Sequence, residues 1–251
     1  MAAPMNDRYA TVNPAANAGL VEGMKGLFNP VDTISRQFKN GMMGQGVLGY
    51  DEINMSQSIA QHTTGTRSAS ATLTIGSTVT TEGQSTVAIN GDTGAATFNQ
   101  GDVFTIAGVY AVNPQTRQST GSLQQFVVTQ TVAASSGNWA SVSISPALYT
   151  PANALATVSA FPASGAAVTV VGAANTTYPQ NLIYQKNAIT LGTADLLLPQ
   201  GVDMASRQVH NGISMLIVRQ YDINNDRMPC RIDVLYGYSV IRAPMAARLW
   251  G

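Results

Sequence analysis

The sequence predicts an α+β, β-rich protein in which a weakly charged module of short antiparallel strands interrupts a more highly charged chain. Between residues 62 and 178 the only charges are Arg67, Glu82, Asp92, Asp102 and Arg117, five in 117 positions, against 21 in the other 134. Across the same borders the apolar period drops from helical spacing to two. Turn-forming pairs then punctuate the middle of the chain at short intervals.

The first zone, residues 1–61, reads as a strand and two helices. Arg8 to Val12 has the pattern of a strand. Asn13-Pro14 supplies an N-cap followed by proline at the first helical position. Leu20, Val21, Met24, Leu27 and Phe28 then form the stripe of an amphipathic helix, which Asn29-Pro30 ends. A shorter helix follows, capped by Asp32, with Ile34 and Phe38 on one face and Asn40-Gly41 as its stop.

The second zone, residues 62–178, alternates apolar with Ser and Thr: Ala71, Leu73, Ile75; Phe104, Ile106; Ala140, Val142, Ile144. Asn90-Gly91, Asn113-Pro114, Ser136-Gly137-Asn138 and Ser145-Pro146 read as the turns between these runs. Such a pattern predicts an antiparallel barrel or sandwich. A Ser/Thr-rich linker would lack this regular alternation.

The third zone, residues 179–251, regains charge. Periodicity leaves Leu182 to Leu191 open between strand and short helix. Ile213 to Val218 is a continuous apolar run, which suits a strand covered on both faces. Asn224-Asn225-Asp226 turns the chain, and Arg231 to Tyr236 returns as the second strand of a hairpin.

Composition narrows the function. The 13 basic and 13 acidic residues cancel, which argues against a chain whose main task is gripping nucleic acid. Charged residues make up 10% of a sequence that is 45% apolar, against roughly a quarter in an ordinary soluble domain. So little charge fits a surface spent on contacts with other protein; a weakly charged secreted β-domain is the plainer alternative. Cys230 is the single cysteine, so there is no internal disulfide and no multi-thiolate metal site. The N-terminus lacks the pattern of a signal peptide. Frequent Ser, Thr, Asn, Gly and Pro break every long uncharged stretch, so none reads as a membrane helix.

Candidate sites resolve into structural readings. His62 and His210 are the only histidines, and no Gly-x-Ser-x-Gly elbow accompanies them; His210, before Asn211-Gly212, reads as a turn residue. Gly41, Gly44 and Gly46 are spaced like a phosphate loop, but no strand precedes them and no Lys-Ser/Thr follows. Asp222, Asn224 and Asp226 have calcium-loop spacing, with Asp233 at the twelfth position. Arg227 stands where that loop needs glycine, so an Asx-stabilised turn is the expected structure. Arg219, Arg231, Arg242 and Arg248 form a modest basic group, expected to pair between subunits with Asp222, Asp226 or Asp233 rather than to hold DNA. No catalytic, cofactor-binding or metal residue is assigned, and no cofactor is expected.

One long segment is more specific. GDVFTIAGVYAVNPQTRQSTGSLQQFVVT, from Gly101 to Thr129, resembles the inserted β-domain of short-tailed-phage coat proteins of the gene-5 type. DRYATVNP from Asp7, GLFNP from Gly26, GYDE from Gly49 and HTTGT from His62 precede it in the family's order. ISPALY from Ile144, LIYQKNAITLG from Leu182, LLLPQGV from Leu196, RQYDINND from Arg219 and RIDVLYGYSVIRAPMAARLWG from Arg231 follow. The resemblance spans essentially the whole chain.

It implies the major capsid fold of tailed phages and herpesviruses, with axial and peripheral domains and an inserted β-barrel. Residues 1–61 then belong to the axial domain, 62–178 form the insert, and 179–251 return to the axial and peripheral parts. It also implies a structural protein, not an enzyme: coat subunits in hexamers and pentamers of an icosahedral head, with a scaffolding protein, a portal and enclosed DNA touched only weakly and non-specifically. The location implied is the virion, assembled in the host cytoplasm, with no membrane partner. The family's N-terminal arm, extended loop and spine helix have no counterpart here, so Met1 reads as an internal start, a truncated frame or a fragment. A phage decoration or tail-tube protein is the alternative, and a phage hydrolase a more distant one.

Overall fold

The computed structural model describes residues 4–24, 45–68 and 70–250. Arg8–Val12 is a strand, and its alternation turns Ala10 and Val12 inward. It pairs antiparallel with Thr177–Gln185 and parallel with Tyr50–Met55. A parallel neighbour demands a crossover, and the helix Pro14–Met24 lies in that connection. Asn13 caps the helix: its Oδ1 accepts the Ala16 N–H at 3.0 Å, and its own N–H donates to Asn181 Oδ1 at 2.7 Å. Met24 closes over Ala10, Val12 and Ile53, with Ala16, Leu20 and Val21 packed alongside. Leu27 and Phe28, the helix expected after Asp32, and Gly41 and Gly44 lie outside the described residues.

This flanking sheet is completed by Gln45–Val47, Gln61–Thr63 and Ala246–Trp250. The last two both pair with Thr177–Gln185. The chain's final strand therefore sits beside the segments by which it enters and leaves the central module.

That module is a closed barrel. Its wall runs Val168–Val170, Val103–Val112, Ser119–Val128, Trp139–Leu148, Gln84–Asn90, Thr74–Ile75. The two ends meet: the Ile75 N–H donates to the Ala166 carbonyl and the Val168 N–H to that of Leu73, each at 2.9 Å. Closure is tightest near Val127 and Val128, where Ser119–Val128 pairs on both sides; its Ser119–Gln125 stretch pairs with Val103–Val112 alone. A short ribbon, Thr97–Phe98 with Val132–Ala133, adds Phe98 to the core and packs Val132 against it. The alternating positions meet inside, where Phe98, Phe104, Ile106, Phe126, Trp139 and Leu148 are all fully buried. Gly108, at φ +82°, lies where the pairing of Val103–Val112 with Ser119–Val128 slips register, the positive φ a bulge requires. Ser145-Pro146, expected to be a turn, falls inside Trp139–Leu148, at another slip in register. Proline lacks the ladder donor and is tolerated at such an irregularity.

After the barrel the chain forms Thr177–Gln185 and, past a three-residue turn, Ile189–Ala194. The segment left open between strand and helix is thus two strands. Ile189–Ala194 begins a four-stranded antiparallel sheet ordered Ile189–Ala194, Cys230–Val240, Ile213–Arg219, Met204–His210. Asn211 and Gly212, both at positive φ, make the two-residue turn of one of its hairpins. His210 is the last strand residue before that turn, not a turn residue. The returning strand extends to Val240, beyond the expected Tyr236.

Candidate functional site

Antiparallel pairing puts directly opposed residues on the same face of a sheet. In the four-stranded sheet, Met215 faces Val234, Ile217 faces Ile232, and Tyr236 and Tyr238 face Thr193 and Leu191. With Met204, Ile213 and Val240, these residues share one face across all four strands. Every large apolar member of this set is exposed: Tyr238 is 77%, Tyr236 64% and Ile232 63% accessible. The opposite face carries Arg207, Ser214, Leu216, Arg231, Asp233 and Ser239, and there Ser214 and Leu216 are buried. The apolar composition of Ile213–Val218 suits cover on both faces; within this chain it is covered on one. Its exposure alternates residue by residue, because only the Ser214–Leu216 side has protein over it.

The sequence-level candidates scatter. Asp222 forms the expected Asx turn: its Oδ1 accepts the Asn224 N–H at 3.1 Å and its Oδ2 the Asn225 amide at 2.7 Å. Asp226 accepts the Tyr221 hydroxyl at 2.7 Å instead of joining Asp222. Among the described residues, no three metal-ligating side chains come together. The basic group does not converge on one partner. Arg219 pairs with Asp203 at 3.0 Å, Arg231 with Asp233 at 2.6 Å, and Arg248 reaches the Gly101 carbonyl at 2.8 Å. The first two are ion pairs made within the chain. Cys230 is exposed on the apolar face, and Gly46 lies in a short strand. No described helix is long and apolar enough to cross a membrane.

One constellation was missed. His62 lies 2.9 Å from Asp102, and Arg67 lies 3.3 Å from the other oxygen of that carboxylate. The scarcity of charge in residues 62–178 was the only sequence signal that marked Asp102 and Arg67.

A family model described as "P22 coat protein - gene protein 5" matches residues 3–251. The chain belongs to the P22 coat protein family. It is accordingly a bacteriophage coat protein, a structural component of the capsid built from multiple coat subunits. The coat-protein family is structural, and an apolar sheet face suits a subunit that meets other protein better than it suits a monomer. Among solved structures the coat chain is similar to the "CUS-3 coat protein I-domain", at 27% identity and a TM-score of 0.31, over 41% of this chain and 98% of that one. A search of curated proteins finds no match.

Proposed function

We propose that this coat chain is the major capsid subunit, packing with copies of itself as hexamers and pentamers into an icosahedral head that encloses DNA. Assembly takes place in the host cytoplasm with a scaffolding protein and a portal, and DNA is met only through weak, non-specific contacts. In this reading residues 62–178 are an inserted domain, and the residues before and after it form one capsid body. The observation that carries the proposal is the exposed apolar face on the sheet Ile189–Val240. Exposed patches of this extent on soluble proteins mark protein contacts. Zero net charge and low charge density further suit close packing of many identical surfaces.

The test is cryo-electron microscopy with peptide mapping of virions that carry this gene. Peptides from across residues 3–251 are expected in the icosahedral shell at a stoichiometry of several copies per capsomer. Confinement of those peptides to tail density, or to knobs on the outside of a shell made by another protein, would favour the decoration or tail-tube alternative.

A further inference from the structure

Barrel and flanking sheet are joined by two strands of chain, and these are zipped together. The Thr64 N–H donates to the Thr176 carbonyl at 3.0 Å, the Thr176 N–H to Thr64 Oγ1 at 3.0 Å, and the Asn175 N–H to the Gly65 carbonyl at 3.1 Å. A two-stranded neck of this kind is a narrow connection, and side-chain contacts at the base of the barrel supplement it.

Asp102, completely buried, opens the barrel strand Val103–Val112. Its carboxylate accepts N–H groups from Asn99 at 2.9 Å and from Gly65 at 3.1 Å. The first partner belongs to the barrel and the second to the neck. His62, on the flanking strand Gln61–Thr63, supplies Nε2 at 2.9 Å, and Arg67 on the neck supplies a guanidinium N–H at 3.3 Å. Beside His62, Arg248 of the strand Ala246–Trp250 donates to the Gly101 carbonyl at 2.8 Å and to Gln180 Oε1 at 3.0 Å. The Trp250 ring stacks on Tyr178 and approaches His62 at 6.0 Å.

Three glycines permit this proximity. A Cβ on Gly65 would lie 2.0 Å from the Thr97 carbonyl oxygen, and one on Gly172 would lie 2.8 Å from Trp250. A Cβ on Gly101, which sits at φ +101°, would press on the His62 ring at 3.2 Å. A buried carboxylate is tolerated only while its partners stay in place. A tilt that withdraws His62 strips one partner from this buried carboxylate and leaves it to Asn99, Gly65 and Arg67. We propose that Asp102 is a latch, gripped by His62 and Arg67 and buttressed by Arg248, that fixes the orientation of the barrel against the flanking sheet. Neck, carboxylate and last strand lock as a unit, so barrel orientation is coupled to the pairing of Ala246–Trp250.

The latch is testable by distance measurement between spin labels. The full chain carries Cys230→Ser, with labels at Ser58→Cys beside the flanking sheet and Thr116→Cys at the tip of a barrel hairpin. Labelled chains are diluted in unlabelled ones so that only distances within one chain are read. The parent is expected to give one narrow distance peak. The double change His62→Ala with Arg248→Ala, which alters no residue of the barrel core, is expected to replace it with a broad distribution. Hydrogen exchange at the Phe104, Ile106 and Val142 amides should stay slow, showing an intact barrel. Asp102→Asn, which keeps the shape but removes the charge, is expected to broaden the peak as well. Should the barrel itself loosen in Asp102→Asn, the double variant still decides. A narrow peak at the parent distance in the double variant would overturn the latch.

Discussion

The Phe98 ring lies against Trp139 with centroids 4.7 Å apart and planes at 56°. Phe98 belongs to the short ribbon and Trp139 to the main wall. The same ring lies 6.0 Å from Phe104 and carries the Arg67 guanidinium 5.5 Å from its centroid. Phe98 thus links Trp139 in the barrel core to the Arg67 guanidinium.

This arrangement predicts that residues 62–178 fold on their own, because the barrel's aromatic core is filled from within that stretch. The excised segment is expected to show strand-type circular dichroism and dispersed amide resonances. In it, Phe98→Ala should cost about 3–5 kcal/mol in denaturant unfolding, the usual range for removing a buried phenylalanine ring. A random-coil spectrum from the excised segment would refute its autonomy.

Gly65 is expected to tolerate no side chain. The Cβ of Gly65→Ala would enter backbone, at 2.0 Å from Thr97 O, where no rotamer change offers relief. The neck must then open, with loss of the Gly65–Asp102 hydrogen bond. We expect destabilisation of about 2–4 kcal/mol, in the range of the more severe single substitutions. Gly94→Ala is the control: its Cβ would meet nothing within 4 Å, and only its positive φ should register. Comparable thermal shifts for the two variants would show that the contact is unimportant.

The Asp222 turn should respond to acid and not to calcium. Its carboxyl is held below the usual aspartate range, first by the Asn225 side-chain amide and then by the Asn224 N–H. A depressed folded pKa contributes stability above the unfolded value, and that contribution disappears as pH falls through the folded one. The turn is therefore expected to stay intact at neutral pH and loosen only below the ordinary carboxylate range. Carboxyl resonances followed by NMR through that range check the sign. Calorimetry should detect no calcium binding at micromolar concentration; binding that disappears in Asp222→Ala would contradict the turn assignment.

The apolar sheet face should govern association. Purified chain is expected to give small oligomers or amorphous clusters in negative stain, because exposed apolar strand surface associates without a defined geometry. Regular closed shells need contacts on several sides of each subunit. Replacing Ile217 and Ile232, which face each other on the exposed side, with lysine should shift sedimentation toward monomer while leaving barrel unfolding unchanged. Unchanged clustering would place the sticky surface elsewhere, and regular icosahedral particles from the unmodified chain would refute the expectation of irregular association.

What the sequence determined by itself is local. Asn13-Pro14 starts the helix because capping and a preset φ act within one turn of chain. Phe104, Ile106, Val142 and Ile144 announce their inward face because a strand alternates whatever it packs against. Asp222 forms its Asx turn with residues two and three positions away. The family, too, was legible, since motifs in order need no coordinates. What the tertiary structure alone decided is which surfaces have neighbours. An apolar run such as Ile213–Val218 is the same string whether one face is covered or two. The ladder of Ile75 with Ala166 that closes the barrel spans most of its length in sequence. Asp102 meets His62 and Arg67 from 40 and 35 residues away, and Arg248 reaches Gly101 from 147. Burial of a charge depends on every group brought around it at once, and that company assembles only when the barrel and the flanking sheet meet.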